Sequence, residues 1–111
     1  MISKEQISEI CLKIVQNIKP YKVILFGSYV TGNNNEDSDL DLIIVKETNL
    51  SKHQRAREIR KYLWGITDIP KDILVYTEKE INDWKNVKQA FITSVLINSK
   101  ILYENKNRSI E

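Results

Sequence analysis

This sequence is short of the residues from which many sites and scaffolds are built. Its 111 residues include one cysteine, one histidine, two prolines and three glycines. Cys11 can close no internal disulfide and has no second thiol for a metal cluster. His53, standing alone, removes zinc clusters and leaves no other histidine for a Ser-His-Asp triad; it falls where an exposed helix residue is expected. No apolar run approaches the ~18 residues that would span a bilayer. The opening stretch, Met1 to Lys19, interleaves Lys4, Glu5, Glu9 and Lys13, which is wrong for a signal peptide. A large excess of one charge is missing too. Seventeen basic against fifteen acidic side chains give +2, too near neutral for a dedicated nucleic-acid binder. A cytoplasmic protein is expected, with no membrane segment and no nucleic acid as direct ligand.

What is present suits a single globular unit. Hydrophobic residues make up 41% and charged residues 29%, which argues against wholesale disorder. The length favours one domain, set at residues 1–104 with a polar tail over 105–111, and leaves no room for a separate substrate domain. Ser3 and Gln6 form a capping-box pattern ahead of Ile7, Ile10, Cys11, Ile14, Val15 and Ile18, one apolar helical stripe that Pro20 stops. Cys11, inside that stripe, reads as core. Val23-Ile24-Leu25-Phe26 reads as a buried strand, and Ser28 to Thr31 as one helical turn between Gly27 and Gly32. Residues 33–38 are loop. Asp39 to Val45 alternates as a second strand, with both aspartates on one side.

Further along, Ser51 with Gln54 caps a helix to about Leu63 that turns Ala56, Ile59 and Leu63 inward. Ile73-Leu74-Val75, led in by Asp72, is a third buried strand. Thr77 with Glu80 caps a short helix offering Ile81 and Trp84 to the core. Val87 to Asn98 reads as helical, led by Val87, Phe91 and Val95, and Ile101 to Tyr103 as a last strand. The fold class is therefore α/β or α+β.

The chemistry gathers between Val23 and Val45. A strand running into Gly27-Ser28 and a helical turn lets small residues bring backbone N–H groups up to an anion. Asp39 and Asp41 then project from one face of the next strand, and like charges side by side resist joint burial unless a divalent cation lies between them. Asp72 opens the third strand. If that strand lies beside the second, three carboxylates converge next to the turn, the donor set of a two-Mg²⁺ nucleotide-transfer site. Competing motifs fail by position. Gly27 to Gly32 has P-loop spacing, but Asn33 and Asn34 stand where Lys and Ser/Thr are needed. An EF-hand starting at Asp37 would place Leu42 at the glycine and Thr48 at the glutamate.

Gly27-Ser28, ten residues, then Asp39-Leu40-Asp41 resembles the minimal nucleotidyltransferases of the DNA polymerase β superfamily. The likeness extends through Lys71-Asp72-Ile73-Leu74-Val75 to Ile101-Leu102-Tyr103-Glu104. It implies a small mixed sheet with helices on one side, ATP as substrate and Mg²⁺, two ions, as cofactor. Carried over by position, Asp39, Asp41 and Asp72 are the catalytic and metal-holding carboxylates, and Gly27 and Ser28 hold the β/γ-phosphates. The resemblance also implies a helical HEPN-type partner, an RNase silenced by AMP transfer to a hydroxyl such as tyrosine, with this chain as antitoxin. Two alternatives stand beside it: an antitoxin that acts by occlusion alone, and a transferase acting on RNA or a small molecule. One departure from the family pattern is plain. Many relatives carry an arginine shortly after the Gly-Ser pair, where Tyr29, Val30 and Thr31 stand here. Lys52, Arg55, Arg57, Arg60 and Lys61 are candidates to replace it, or form a solvated helix face. Trp64 and Trp84 are expected to pack in the core or at its rim rather than stack on a base.

Overall fold

Fifteen residues of helix open the fold because the local signals agree on where to begin and end it. The computed structural model describes residues 2–35, 38–65, 71–84, 95 and 97–105. In α1 (Lys4–Ile18), the Ser3 side chain accepts from the Gln6 N–H and the Gln6 side chain accepts from the Ser3 N–H, the reciprocal capping box. Lys19 closes it in the left-handed region at φ 55, its N–H bonded to the Val15 carbonyl. Ile10, Ile14 and Ile18 are the buried stripe.

The chain then runs through β1 (Lys22–Phe26), the single turn α2 (Ser28–Thr31) and β2 (Leu40–Val45). A second capping box, Ser51 with Gln54, starts α3 (Lys52–Arg60), which tightens into a 3-10 turn over Lys61–Leu63. β3 (Lys71–Tyr76), α4 (Glu78–Trp84) and β4 (Ser99–Glu104) complete the order. Val95 and Ile97 are helical; the rest of the helix expected over 87–98, Val87 and Phe91 included, lies outside the described residues, as does the tail beyond Asn105.

The four strands form one mixed sheet in the order β3-β2-β1-β4. β1 is antiparallel to both neighbours, and β2 and β3 are parallel. Alternation sorts the sheet side chains into two layers. Val23, Leu25, Leu40, Leu42, Ile44, Ile73 and Val75 pack against Ile10, Ile14 and Ile18 of α1 and against Ile59 and Leu63. Ile24, Phe26, Ile43 and Val45 face the other way, with Val95, Leu74, Tyr76 and Ile81. The long helices thus share one face, and Val95 and Ile81 cover part of the other. Each fully buried aliphatic side chain contributes about 1.5–3 kcal/mol, so the layers hold the sheet rigid beneath its polar end. Among the described residues, no helix is long and apolar enough to cross a membrane.

Candidate functional site

The end of β1 and the starts of β2 and β3 meet at one end of the sheet, and strand register decides what lies there. Phe26 pairs with Asp41, and Asp41 pairs with Asp72. A row across the sheet therefore places two carboxylates on adjacent parallel strands, roughly 4.8 Å apart at the backbone. They share the face of Ile43 and Leu74, away from α1 and α3. Asp39 lies just ahead of β2, exposed, as is Asp72, while Asp41 is half-buried. Asn35 and Ser38 close the loop before it reciprocally: the Asn35 N–H donates to Ser38 Oγ at 2.8 Å, and the Ser38 N–H to the Asn35 carbonyl at 3.1 Å.

Asp41 carries the electrostatic signature of the site. Burial is the largest reason its carboxyl is pushed up to about 6, and the neighbouring charges of Asp72 and then Asp39 push the same way. Among the described residues, no hydrogen bond or ion pair relieves any of the three. Hard oxygen donors crowded in this way match what a divalent cation takes. Among the described residues, however, no three His, Cys, Asp or Glu side chains are drawn together into a ready metal cage.

Gly27 brings the turn against this group. It takes φ +82 and ψ −155, and a Cβ built on it would collide with Oδ2 of Asp41 and lie 3.2 Å from its Cγ. Only a residue without a side chain lets the backbone lie there at that φ. From Gly27 the single turn α2 closes on itself: Val30 and Thr31 donate their N–H groups to the Gly27 carbonyl and Gly32 to that of Ser28. Ser28 is half-buried beside it, and Thr31 is exposed. The arrangement can hold a polyanion at the turn and a cation at the carboxylates on one sheet end.

Arg55 of α3 is not part of this assembly. It is buried at 9% exposure, and two of its three guanidinium nitrogens are engaged within the fold. Nε donates to the Leu50 carbonyl at 2.7 Å; one terminal nitrogen reaches the Val75 carbonyl at 3.2 Å and Glu80 Oε1 at 2.8 Å. Burial alone would raise the Glu80 carboxyl; the bond from Arg55, the Thr77 N–H and the charges of Arg55 and Lys52 together hold it below its ordinary value. Arg55 is thus a clamp between α3, β3 and α4, and no free phosphate ligand. Its place four residues before buried Ile59, on the same helix face, was the available signal. Lys52 lies over the Tyr76 ring at 4.8 Å, and Arg57 meets His53, which is exposed as expected, at 2.9 Å. Trp64 at 90% and Trp84 at 52% exposure are not core residues, which corrects their assignment from sequence: the neighbouring Leu63 takes the inward position at the end of the 3-10 turn after α3, and Ile81 is the α4 side chain packed on the sheet. Cys11 is half-buried against the α1 layer, and that burial pushes its thiol up.

Comparison with known proteins follows the same lines. A family model described as a nucleotidyltransferase domain matches residues 4–97. A crystal structure from Sulfolobus solfataricus, of a protein described as a nucleotidyltransferase, superposes with a TM-score of 0.65 at 17% identity, over 93% of this chain and 81% of that one. A toxin–antitoxin structure, a mutant of MntA-HpeT, gives 0.61 at 20% identity, over 88% of this chain and 73% of that one. A toxin–antitoxin structure with AMP-PNP also gives 0.61 at 20% identity, over 89% and 74%. At these identities the superpositions speak to fold. A search of curated protein sequences returns no match.

Proposed function

Because this chain belongs to the nucleotidyltransferase domain family, we propose that it transfers AMP from ATP to a hydroxyl of a partner protein. The observation that carries this is the register pairing of Asp41 with Asp72 beside the Gly27-Ser28 turn. Asp39, Asp41 and Asp72 would hold Mg²⁺. When bound, that cation supplies charge neutralisation to the phosphates and to the departing pyrophosphate. Gly27 and Ser28 take the β/γ-phosphates, fixing the α-phosphorus for attack. Asp72, exposed on the outermost strand of this end, receives the proton of the incoming hydroxyl. The acceptor oxygen then bonds to the α-phosphorus, the bond to the bridging oxygen of the β-phosphate breaks, and pyrophosphate leaves.

The likeness to toxin–antitoxin structures supports an antitoxin role; the family resemblance implies that its acceptor is a tyrosine of a helical HEPN-type RNase. The test is to incubate the purified protein with a helical HEPN-type RNase partner, ATP labelled at the α-phosphate, and Mg²⁺. Label on the partner is expected. A folded enzyme that leaves the partner unlabelled overturns the proposal.

One observation favours a second possibility, neutralisation by occlusion without transfer. Tyr29, Val30 and Thr31 fill the segment where many relatives carry arginine, and Arg55 is already engaged elsewhere. Replacing Asp39 and Asp41 with Asn separates the two. An occluding protein still silences its partner after the change, and a transferase does not.

A further inference from the structure

The turn that meets the phosphates is weakly held by its own bonds. A single helical turn is marginal by itself, since nucleation fixes several residues for few hydrogen bonds. α2 spans Ser28–Thr31, none of its residues is fully buried, and Gly27 offers no side-chain cap. Thr31 Oγ1 bonds only within the turn, to the Ser28 carbonyl at 3.5 Å. Among the described residues, one hydrogen bond ties an α2 side chain to another part of the fold. The Ile2 N–H donates to the Tyr29 hydroxyl at 2.9 Å, across 27 positions of sequence.

Both ends of that bond are anchored. Ile2 is 5% exposed and sits in the α1-side core, where the Tyr29 ring also packs. The next residue, Ser3, is the capping residue of α1. A continuous path therefore runs from a fifteen-residue helix through its capping box and Ile2 to Tyr29, then to Ser28 and Gly27, which lies against Asp41.

We propose that Tyr29 is a positioning residue for nucleotide binding, its hydroxyl fastening α2 to the amino-terminal segment so that Gly27 and Ser28 are preset for a triphosphate. This rests on the nucleotide-transfer function proposed above. Tyr29 acts before chemistry. Without its hydroxyl the turn samples more orientations, and bound nucleotide must reorder it. The carboxylates stay in place, so turnover at saturating nucleotide is preserved.

Tyr29→Phe tests this, because it keeps the packed ring and removes the acceptor oxygen. The dissociation constant for Mg·ATP and the KM are expected to rise about three- to tenfold, the size of one hydrogen bond. kcat is expected within twofold of wild type. Amide exchange over residues 28–32 of the nucleotide-free protein speeds up, while exchange in β1 and β2 is unchanged. If wild type binds Mg·ATP and Tyr29→Phe binds it equally tightly, the positioning role is overturned and the functional proposal stands. Equal exchange over 28–32 in the two nucleotide-free proteins overturns it independently. A folded wild type that fails to bind Mg·ATP overturns the functional proposal and this inference together.

Discussion

Gly27 lies against the Asp41 carboxylate with no room between them for a Cβ. The turn lies so close to the Asp41 carboxylate that a methyl group at Gly27 would overlap Oδ2. Gly32 also has a positive φ, +85, but at ψ 5 it lies in the left-handed helical region with open space around it, whereas Gly27 at ψ −155 lies in a region essentially closed to other residues. The two alanine variants therefore differ both in backbone strain and in collision with Asp41. Gly32→Ala is expected to lose about 1 kcal/mol and keep its activity. Gly27→Ala carries a greater backbone strain and also displaces Asp41, so kcat/KM is expected to fall by about 100-fold or more, with ~2–4 kcal/mol of stability lost. Urea unfolding and a pyrophosphate-release assay measure both.

Asp41 sets a pH dependence for the metal-free protein. Its folded value, about 6, lies above that of an unfolded aspartate, so the folded state holds the proton more tightly. The contribution to stability is full below the unfolded value of ~3.9 and is lost as pH rises through the folded one. Asp41→Asn is therefore expected to be more stable than wild type at pH 7.5, and not at pH 4. Solvent screening of this half-exposed group limits the gain to about 1 kcal/mol. Thermal melts across pH in EDTA measure it. Added Mg²⁺ should raise the melting temperature of wild type and leave that of Asp41→Asn almost unmoved.

Glu80 runs in the opposite sense. Its folded value is lowered, so its contribution is present above the unfolded value and is lost as acid brings the pH down through the folded one. Arg55→Met removes the ion-pair partner of Glu80, which keeps the Thr77 N–H, and a donor from each of the Leu50 and Val75 carbonyls, which should cost about 1–3 kcal/mol. Arg55→Lys, which keeps charge but not the fork, should fall between. Its affinity for Mg·ATP should remain within about twofold of wild type, since Arg55 serves the far end of β3. Titration calorimetry on the Lys variant checks that separation.

Asp72 is assigned the proton of the acceptor, and its conservative replacement should show it. Asp72→Asn is expected to lower kcat by about 10²–10⁴, the range typical of a general base, with a smaller change in KM for nucleotide. Single-turnover transfer of labelled AMP to the partner measures the split. Equal kcat in the variant and wild type would remove Asp72 from that role.

The elements were legible wherever the cause was local. Both capping boxes, Ser3–Gln6 and Ser51–Gln54, and the Thr77–Glu80 pair lie three residues apart and formed as their spacing predicts. The stripe of Ile10, Ile14 and Ile18 is buried for the same reason: helical period alone brings it to one side. Trp64 and Arg55 show where composition misleads. A tryptophan looks like core and an arginine like surface, but here a 90% exposed indole and a 9% exposed guanidinium reverse the two. Transfer preference is a weak force beside chain direction and available partners. Leu63 takes the inward position beside Trp64, while two carbonyls and Glu80 hold the Arg55 guanidinium inside.

Sequence alone determined that a small α/β unit would form, with one cysteine, a near-neutral charge and a glycine–serine turn between two apolar strands. Scarcity narrowed the chemistry: no histidine pair and no second thiol left oxygen donors, the three aspartates, as the candidate ligands. What only the tertiary structure decided is which groups meet. Asp41 and Asp72 lie thirty-one positions apart and become neighbours because β2 and β3 pair in parallel and in that register. Ile2 and Tyr29 meet because α1 and α2 close over the same core. Periodicity fixes the face a residue occupies and not its neighbour on the next strand. That neighbour follows from strand order and register, properties of the whole sheet.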